Sequence, residues 1–207
     1  MIRTKDELRF YIEADRMMNR GVFHYSLMQK LTQLFMPDYI MMYLEAMRKT
    51  SYYSHQQGIC NKIICIIHKK KFKNLGMKLG ISIGADVFGY GLVIPHYGTI
   101  VVGGSNRIGN YAVLHTSTCI TASDNVIGDG LYMSTGAKIT SKVTLGNGVS
   151  IAANSVVNKD CGDNVLLAGM PAVEKRQSDI WYVRDGARFQ DRVQKIEAKR
   201  RTLIAEH

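Results

Sequence analysis

Two histidines in the middle of the chain, His96 and His115, have the side-chain chemistry for proton transfer. An imidazole whose pKa lies near ambient pH can take the proton from a hydroxyl group while that oxygen attacks an electrophile. Each histidine also has a non-catalytic alternative. His96 would have a structural role at a corner of the backbone, and His115 would be a surface residue or would support another side chain. The other four histidines are weaker candidates, because they lie in predicted helical segments or at the chain end. They are His24, His55, His68 and His207.

The cysteines and the charge distribution limit the classes of function. The four cysteines form no pair with the spacing of a zinc site, so we expect no metal and reduced, mostly buried thiols. The net charge of +10 is concentrated in residues 1–80, which carry 14 Lys and Arg against 6 Asp and Glu. A basic run over residues 68–73 dominates this excess. Such a run is usually solvated surface; peripheral contact with an anionic membrane is the alternative, and we expect no nucleic-acid partner.

Nothing in the sequence indicates secretion or membrane insertion. The first ten residues are charged, unlike a secretory signal. The longest apolar run, around Ile63–Ile67, is far too short to span a bilayer. We therefore expect a cytoplasmic protein.

An aliphatic residue recurs at every sixth position along the middle of the chain. Three runs carry this pattern: Phe88, Ile94 and Ile100; Val102, Ile108, Leu114 and Ile120; and Ile127, Met133, Ile139, Leu145, Ile151 and Val157. A helix repeats every 3.6 residues and a strand every two, so neither produces this period. A triangular solenoid does, because each hexad supplies one short strand and one corner. The pattern predicts roughly four coils between Ile81 and Val157; a β-sandwich with Gly-rich turns is the alternative.

The flanking segments have helical spacing instead. Apolar residues predict a helical region before the repeats, with one helix over Tyr39–Arg48 and a basic, amphipathic segment over Gly58–Lys73. A charged terminal helix is predicted over Arg184–Glu206. We expect a helical region over 1–78, a β-helix domain over 79–172 and a helical extension over 173–207.

Two motifs resemble a known family. Residues 91–103, GLVIPHYGTIVVG, are similar to the active-site coil of serine acetyltransferases, and residues 168–172, AGMPA, resemble the loop that ends the last coil in hexapeptide-repeat acyltransferases. The resemblance covers about residues 80–175. It implies a left-handed parallel β-helix, a homotrimer, and acetyl-CoA as co-substrate in the cleft between neighbouring prisms.

The resemblance also implies roles for individual residues. His96 matches the family's catalytic histidine, His115 is the second catalytic candidate, and we expect Tyr97 to contact the substrate. Thr135 and Ala153 fall where family members contact CoA through the backbone. Further candidates for the CoA site lie nearby: Lys138, Asn154, Pro171 and Lys175. A lysine there would meet a CoA phosphate; plain solvent exposure is the alternative.

The sequence also departs from the family. Ser82 stands where the family has the aspartate that pairs with the catalytic histidine, and Pro95 replaces the aspartate directly before it. Residues 122–126 are too few to carry the family's Arg-His pair. Asp86 is a candidate to orient His96 in place of the missing aspartate. The absent groups grip the charged ends of a free amino acid, so an uncharged hydroxyl suits the site better.

These observations predict an O-acetyltransferase acting on a hydroxyl-bearing small molecule or glycan. The main expectation is a sugar of bacterial surface polysaccharide, modified in the cytoplasm or at the inner face of the membrane. A serine O-acetyltransferase of cysteine biosynthesis and a non-catalytic β-helix binding module are the alternatives.

Overall fold

Four helices precede the repeats in the computed structural model, which describes residues 2–205. They are α1 (Lys5–Arg20), α2 (Leu27–Phe35), α3 (Tyr39–Ser54) and α4 (Ile59–Leu79). Their ends carry the expected capping residues. Thr4 and Glu7 form a capping box at the start of α1, and Asp38 accepts the N–H of Met41 at the start of α3.

Short strands, parallel except for the last, then form the three faces of a prism. The first face contains β1 (Ile81–Ile83), β2 (Ile100–Val102), β5 (Thr118–Ile120), β8 (Lys138–Ile139) and β11 (Val156–Val157). The second contains β3 (Arg107–Ile108), β6 (Val126–Ile127) and β9 (Thr144–Leu145). The third contains β4 (Val113–Leu114), β7 (Tyr132–Met133), β10 (Ser150–Ile151), β12 (Val165–Gly169) and β13 (Ala172–Gln177).

Each strand pairs with the equivalent strand of the next coil, as in the register of Ile120 with Ile139 and of Ile139 with Val157. The left-handed parallel β-helix with flanking helices is confirmed. It makes about five turns instead of the four expected, because the coil continues past Val157 through Cys161 and β12.

The hexad positions form the core of the prism. All thirteen aliphatic positions named from the sequence are buried and belong to one hydrophobic cluster. A small residue follows many of these hexad positions, and the reason is steric. Asn147 Oδ1 accepts the N–H of Asp129 in the coil before it, and Asp163 Oδ1 likewise accepts that of Asn147. A Cβ on Gly128 would lie 2.6 Å from Asn147 Oδ1, so this ladder of Asn and Asp side chains requires glycine beside it.

The helices close one end of the prism and are fixed to its first coil by a buried ion pair. Leu44 of α3 and Leu75 of α4 belong to the core cluster of the β-helix. Arg48 Nε lies 2.8 Å from Asp15 Oδ2, with both side chains 1% exposed. Arg48 also donates to the carbonyl oxygens of Phe88 and Gly89. The ion pair therefore satisfies backbone groups of the first coil that burial would otherwise leave unpaired.

The chain leaves the β-helix through a hairpin. We expected residue 173 to begin a helical extension; instead, β12 and β13 pair antiparallel on either side of Met170 and Pro171, so residues 173–177 form a strand. β12 continues the coil on β10, and β13 covers its free edge, which would otherwise expose unpaired backbone groups.

Two helices follow the hairpin, α5 (Trp181–Arg184) and α6 (Ala187–Ala205). They pack on the third face, where Trp181 Nε1 donates to the carbonyl oxygen of Tyr111 at 2.7 Å. The predicted terminal helix thus begins three residues later than expected, and Glu206 and His207 lie outside the described residues. Within residues 2–205, no helix has the length and apolar character to cross a bilayer.

Candidate active site

His96 lies at the corner between the third and first faces of the prism, on an exposed turn. The strand before it is held from α1: Asn19 Nδ2 donates to the carbonyl oxygen of Leu92, and Asn19 Oδ1 accepts the N–H of Ile94. The chain after the turn is fixed where Gly98 N–H donates to the carbonyl oxygen of Leu79. The backbone on both sides of His96 is therefore held by hydrogen bonds, while its ring is exposed and makes no hydrogen bond within the described part of the chain.

Five of the other predicted site residues lie at the same corner in later coils: His115, Thr135, Ala153, Asn154 and Pro171. This site corner comprises residues 95–99, 115–117, 134–137, 152–155 and 168–171, which follow the strands of the third face. Its coils are joined by hydrogen bonds from Gly136 N–H to the carbonyl oxygen of Thr116 and from Asn154 N–H to that of Thr135, each 3.0 Å long. His96, His115, Thr135 and Asn154 therefore lie in one row along the prism.

His115 occupies the coil after His96 and has a defined partner. Its Nε2 lies 2.9 Å from Tyr132 Oη. Burial lowers the pKa of His115, the nearby His96 lowers it further, and Asp185 opposes the shift. Burial, followed by the Asp185 charge, raises the pKa of the Tyr132 phenol. Near neutral pH, His115 is therefore a neutral imidazole beside a protonated phenol, and it adds no positive charge next to His96.

Three residues near His115 were not predicted from the sequence. Tyr132 pairs with Val113 in the coil register, so the repeat itself placed it one coil beyond His115. Arg184 lies over the Tyr132 ring at 4.8 Å and donates to Ser150 Oγ, while Asp185 forms an ion pair with Arg184. The two charged residues reach this site because α5 folds back on the third face, which no local sequence pattern indicates.

The predicted CoA contacts are exposed and extend beyond His115 along the site corner. Ala153 and Asn154 are both exposed, and Asn154 has a φ of 57° at its turn. Lys138 folds back on this corner, since its Nζ donates to the carbonyl oxygen of Gly136 at 3.0 Å. Pro171 is exposed at the tip of the hairpin, and Lys175 is exposed on β13. The exposed residues along the site corner thus form a surface on which an elongated ligand can lie, with a lysine beside this surface.

Asp86 does not orient His96. Its carboxylate accepts from Ser51 Oγ at 2.5 Å and lies 3.2 Å from His55 Nε2, at a different corner of the first coil. The suggestion from the sequence was wrong because α3 brings Ser51 and His55 to this carboxylate. Among residues 2–205, no three His, Cys, Asp or Glu side chains are grouped closely enough to hold a metal ion.

Comparisons with known proteins lead to one class of enzyme, although no family model matches the chain. A serine acetyltransferase of Buchnera aphidicola subsp. Acyrthosiphon pisum (strain APS) is 31% identical over 96 residues, which cover 42% of this chain. The match covers 35% of that relative, so the chain corresponds to about a third of its length.

Solved structures show the same fold. A serine acetyltransferase in complex with CoA superposes with a TM-score of 0.58 at 18% identity, covering 81% of this chain and 68% of the other. The Neisseria gonorrhoeae serine acetyltransferase in complex with serine gives 0.61 at 18% identity, over 83% and 70%. The soybean apoenzyme gives 0.59 at 18% identity, over 81% and 69%. The chain therefore has the hexapeptide-repeat β-helix fold of the serine acetyltransferases, with His96 and His115 on one of its corners.

Proposed function

We propose that this protein is an acetyl-CoA-dependent O-acetyltransferase with His96 as its general base. The observation that carries the proposal is the single row along the site corner in which His96, Thr135 and Asn154 are exposed and His115 is half-buried. The serine acetyltransferase likeness supports it, because one solved relative is a complex with CoA. The same proposal includes a cytoplasmic location and a homotrimer whose neighbouring prism would cover this row.

The chain's own residues have distinct parts in such a transfer. The exposed His96 ring accepts the proton of the acceptor hydroxyl as its oxygen attacks the thioester carbonyl of acetyl-CoA. The acetyl group passes directly to that oxygen, and the CoA thiol is the leaving group. Asn19 contributes by holding the strand before His96 in place, because a general base must keep its geometry within hydrogen-bond reach. Tyr97, 72% exposed on the same turn, is free to contact the acceptor.

L-Serine is the acceptor that the comparisons favour. The curated relative and the solved structures are serine acetyltransferases, and one of those structures contains serine. The Arg184–Asp185 pair near His115 also offers one charge of each sign, which an amino acid's carboxylate and ammonium group require. We therefore rank serine first, although Pro95 and Ser82 replace the acidic residues of the family pattern.

A sugar hydroxyl remains the second candidate, because these replacements remove charges that an uncharged acceptor does not need. The comparisons do not support a role in surface-polysaccharide synthesis. The test is release of the CoA thiol by the purified chain, with L-serine against a panel of sugars and nucleotide sugars. Serine-dependent release at a rate well above hydrolysis supports L-serine as the acceptor. Sugar-dependent release supports a sugar hydroxyl. Absence of CoA binding would contradict both and favour a binding module.

The position of CoA can be tested separately from the acceptor. Ala153→Glu places a negative charge on the exposed row and should weaken CoA binding by about tenfold or more, because CoA carries phosphates. Thr140→Glu changes the charge equally at an exposed corner on another edge of the prism and serves as the control. Equal CoA affinity of the two variants in calorimetry would place CoA elsewhere.

A further inference from the structure

The exposed face of α4 is apolar at one end and basic at the other. Ile59, Ile63 and Ile66 share one side of the helix at helical spacing and are 71%, 53% and 67% exposed. Lys70 and Lys73 continue the same side and are also exposed. The opposite side is buried against α3 and the first coil through three residues: Phe72, Leu75 and Leu79. The exposed isoleucines are therefore not needed for the packing of α4 on the protein.

The second helix, α2, leaves an apolar face open as well. None of its residues is buried, and its apolar side chains include Leu27, Leu34 and Phe35, which are 74%, 74% and 83% exposed. A helix of nine residues is marginal in water without packing. Patches of this kind on a folded protein mark a surface that another component covers.

The charge of these two helices indicates what kind of component covers their exposed apolar faces. Residues 59–79 contain six lysines and no acidic residue, and residues 27–35 contain one lysine and no acidic residue. A second copy of α4 carries the same six lysines and no carboxylate to pair with them, so pairing of two such helices is unfavourable. An anionic lipid surface matches both properties, because its headgroups attract lysines and its acyl region accepts isoleucine and leucine side chains.

A groove beside α4 extends this surface. It has a volume of about 950 Å³ and is lined by residues of α3, α4 and β1. Its walls include Ile66, Met77 and Ile81, and the lysines Lys69, Lys70 and Lys73 line it as well. An apolar groove with cationic groups suits an acyl chain attached to an anionic headgroup.

We propose that α4 docks this protein on an anionic lipid bilayer. Isoleucines at the N-terminal half of α4 enter the interface, and Lys69, Lys70 and Lys73 contact the lipid headgroups. This inference does not depend on acetyl transfer, since none of these residues lies at the site corner.

The test is co-sedimentation of the full chain with vesicles of phosphatidylcholine, with and without phosphatidylglycerol. The wild type should sediment with the anionic vesicles and bind neutral ones about tenfold more weakly. Raised salt should weaken the binding. Two double variants should each lose about tenfold in affinity for anionic vesicles: Ile63→Ser with Ile66→Ser, and Lys69→Ser with Lys70→Ser.

Matched controls remove the same groups from the solenoid. Val126→Ser replaces an aliphatic side chain that is 52% exposed, and Lys142→Ser with Lys159→Ser removes two exposed lysines. These should bind as the wild type does, and circular dichroism should show all variants folded.

The proposal is wrong if the wild type does not sediment with anionic vesicles, or if binding persists in both α4 variants. It is also wrong if the isoleucine variant reduces the size of an oligomer in light scattering without affecting vesicle binding. Thiol release is measured in the same samples and tests the enzymatic proposal independently.

Discussion

His115 Nε2 lies 2.9 Å from the phenolic oxygen of Tyr132, in the next coil of the β-helix. This pair connects the candidate site to the C-terminal segment, because Arg184 lies over the Tyr132 ring. It also defines two electrostatically different histidines at one corner: His96 is exposed, whereas His115 is half-buried with a lowered pKa. When two neighbouring titratable groups have different environments, their pKa values differ, and one of them can act as the base while the other does not.

We predict that His96→Asn raises the pKa of His115. Positive charge on His96 is the second cause, after burial, of the lowered pKa of His115, and asparagine removes that charge. Proton NMR of the imidazole C–H resonances across pH measures the shift. Tyr97→Phe, which keeps the charge of His96, should leave the titration unchanged. An unchanged or lower pKa of His115 in His96→Asn would show that the two rings do not interact.

The same pKa predicts how stability depends on pH. Because the fold lowers the pKa of His115 below its ordinary value of 6.5, the unfolded chain binds this proton more readily. The stabilisation from neutral His115 is fully present above pH 6.5 and is lost as the pH falls from there through the lower pKa of the folded state. Urea unfolding of His115→Asn should therefore show a weaker fall in stability between about pH 7 and 5 than the wild type. A steeper fall in the variant would contradict the assignment.

Gly128→Ala tests the ladder of Asn and Asp side chains. The new Cβ would lie 2.6 Å from Asn147 Oδ1 and 2.8 Å from its backbone nitrogen, so the coil must shift. We expect a loss of about 1–3 kcal/mol in the free energy of unfolding. Gly104→Ala is the control, because no atom lies within 4 Å of its added Cβ. Equal stabilities of the two variants would mean that the ladder tolerates displacement.

Arg48→Met tests the link between the helices and the first coil. It leaves the buried Asp15 carboxylate and the carbonyl oxygen of Phe88 without their cation. Removal of one partner from a buried pair costs about 3–5 kcal/mol. Lys195→Met removes an exposed partner of Asp191 and should change stability by less than about 0.5 kcal/mol. Chemical denaturation compares the two, and a small effect at Arg48 would show that the pair is not what joins these elements.

The sequence predicted the solenoid well because its physical rule is local. A coil buries one residue of every hexad, so the positions from Phe88 to Val157 reveal the core without knowledge of any distant contact. The same rule brings His96, His115, Thr135 and Ala153 to one edge, since steps of about one coil along the repeat return to the same corner. The errors arose where the repeat ends: the strand over residues 173–177 pairs with β12, and this depends on an edge that a hexad pattern does not describe.

The surroundings of the histidines could not be predicted, because they come from outside the repeats. Asn19 of α1 reaches the strand before His96, and Arg184 of α5 reaches Tyr132. Both contacts join residues more than fifty positions apart in the chain, and no short-range pattern indicates such pairs. Asp86 was named as a candidate to orient His96 without a pattern that supports the pairing, whereas α3 supplies its partners Ser51 and His55.

The measurement that tests the central claim most directly is the rate of acetyl transfer by His96→Asn, with the acceptor that the wild type uses best. Because the ring is exposed, this variant should fold normally and bind CoA as tightly as the wild type. Loss of the general base should lower kcat about 100- to 10,000-fold. A variant that binds CoA and transfers acetyl groups at the wild-type rate would contradict the assignment of His96 as the base.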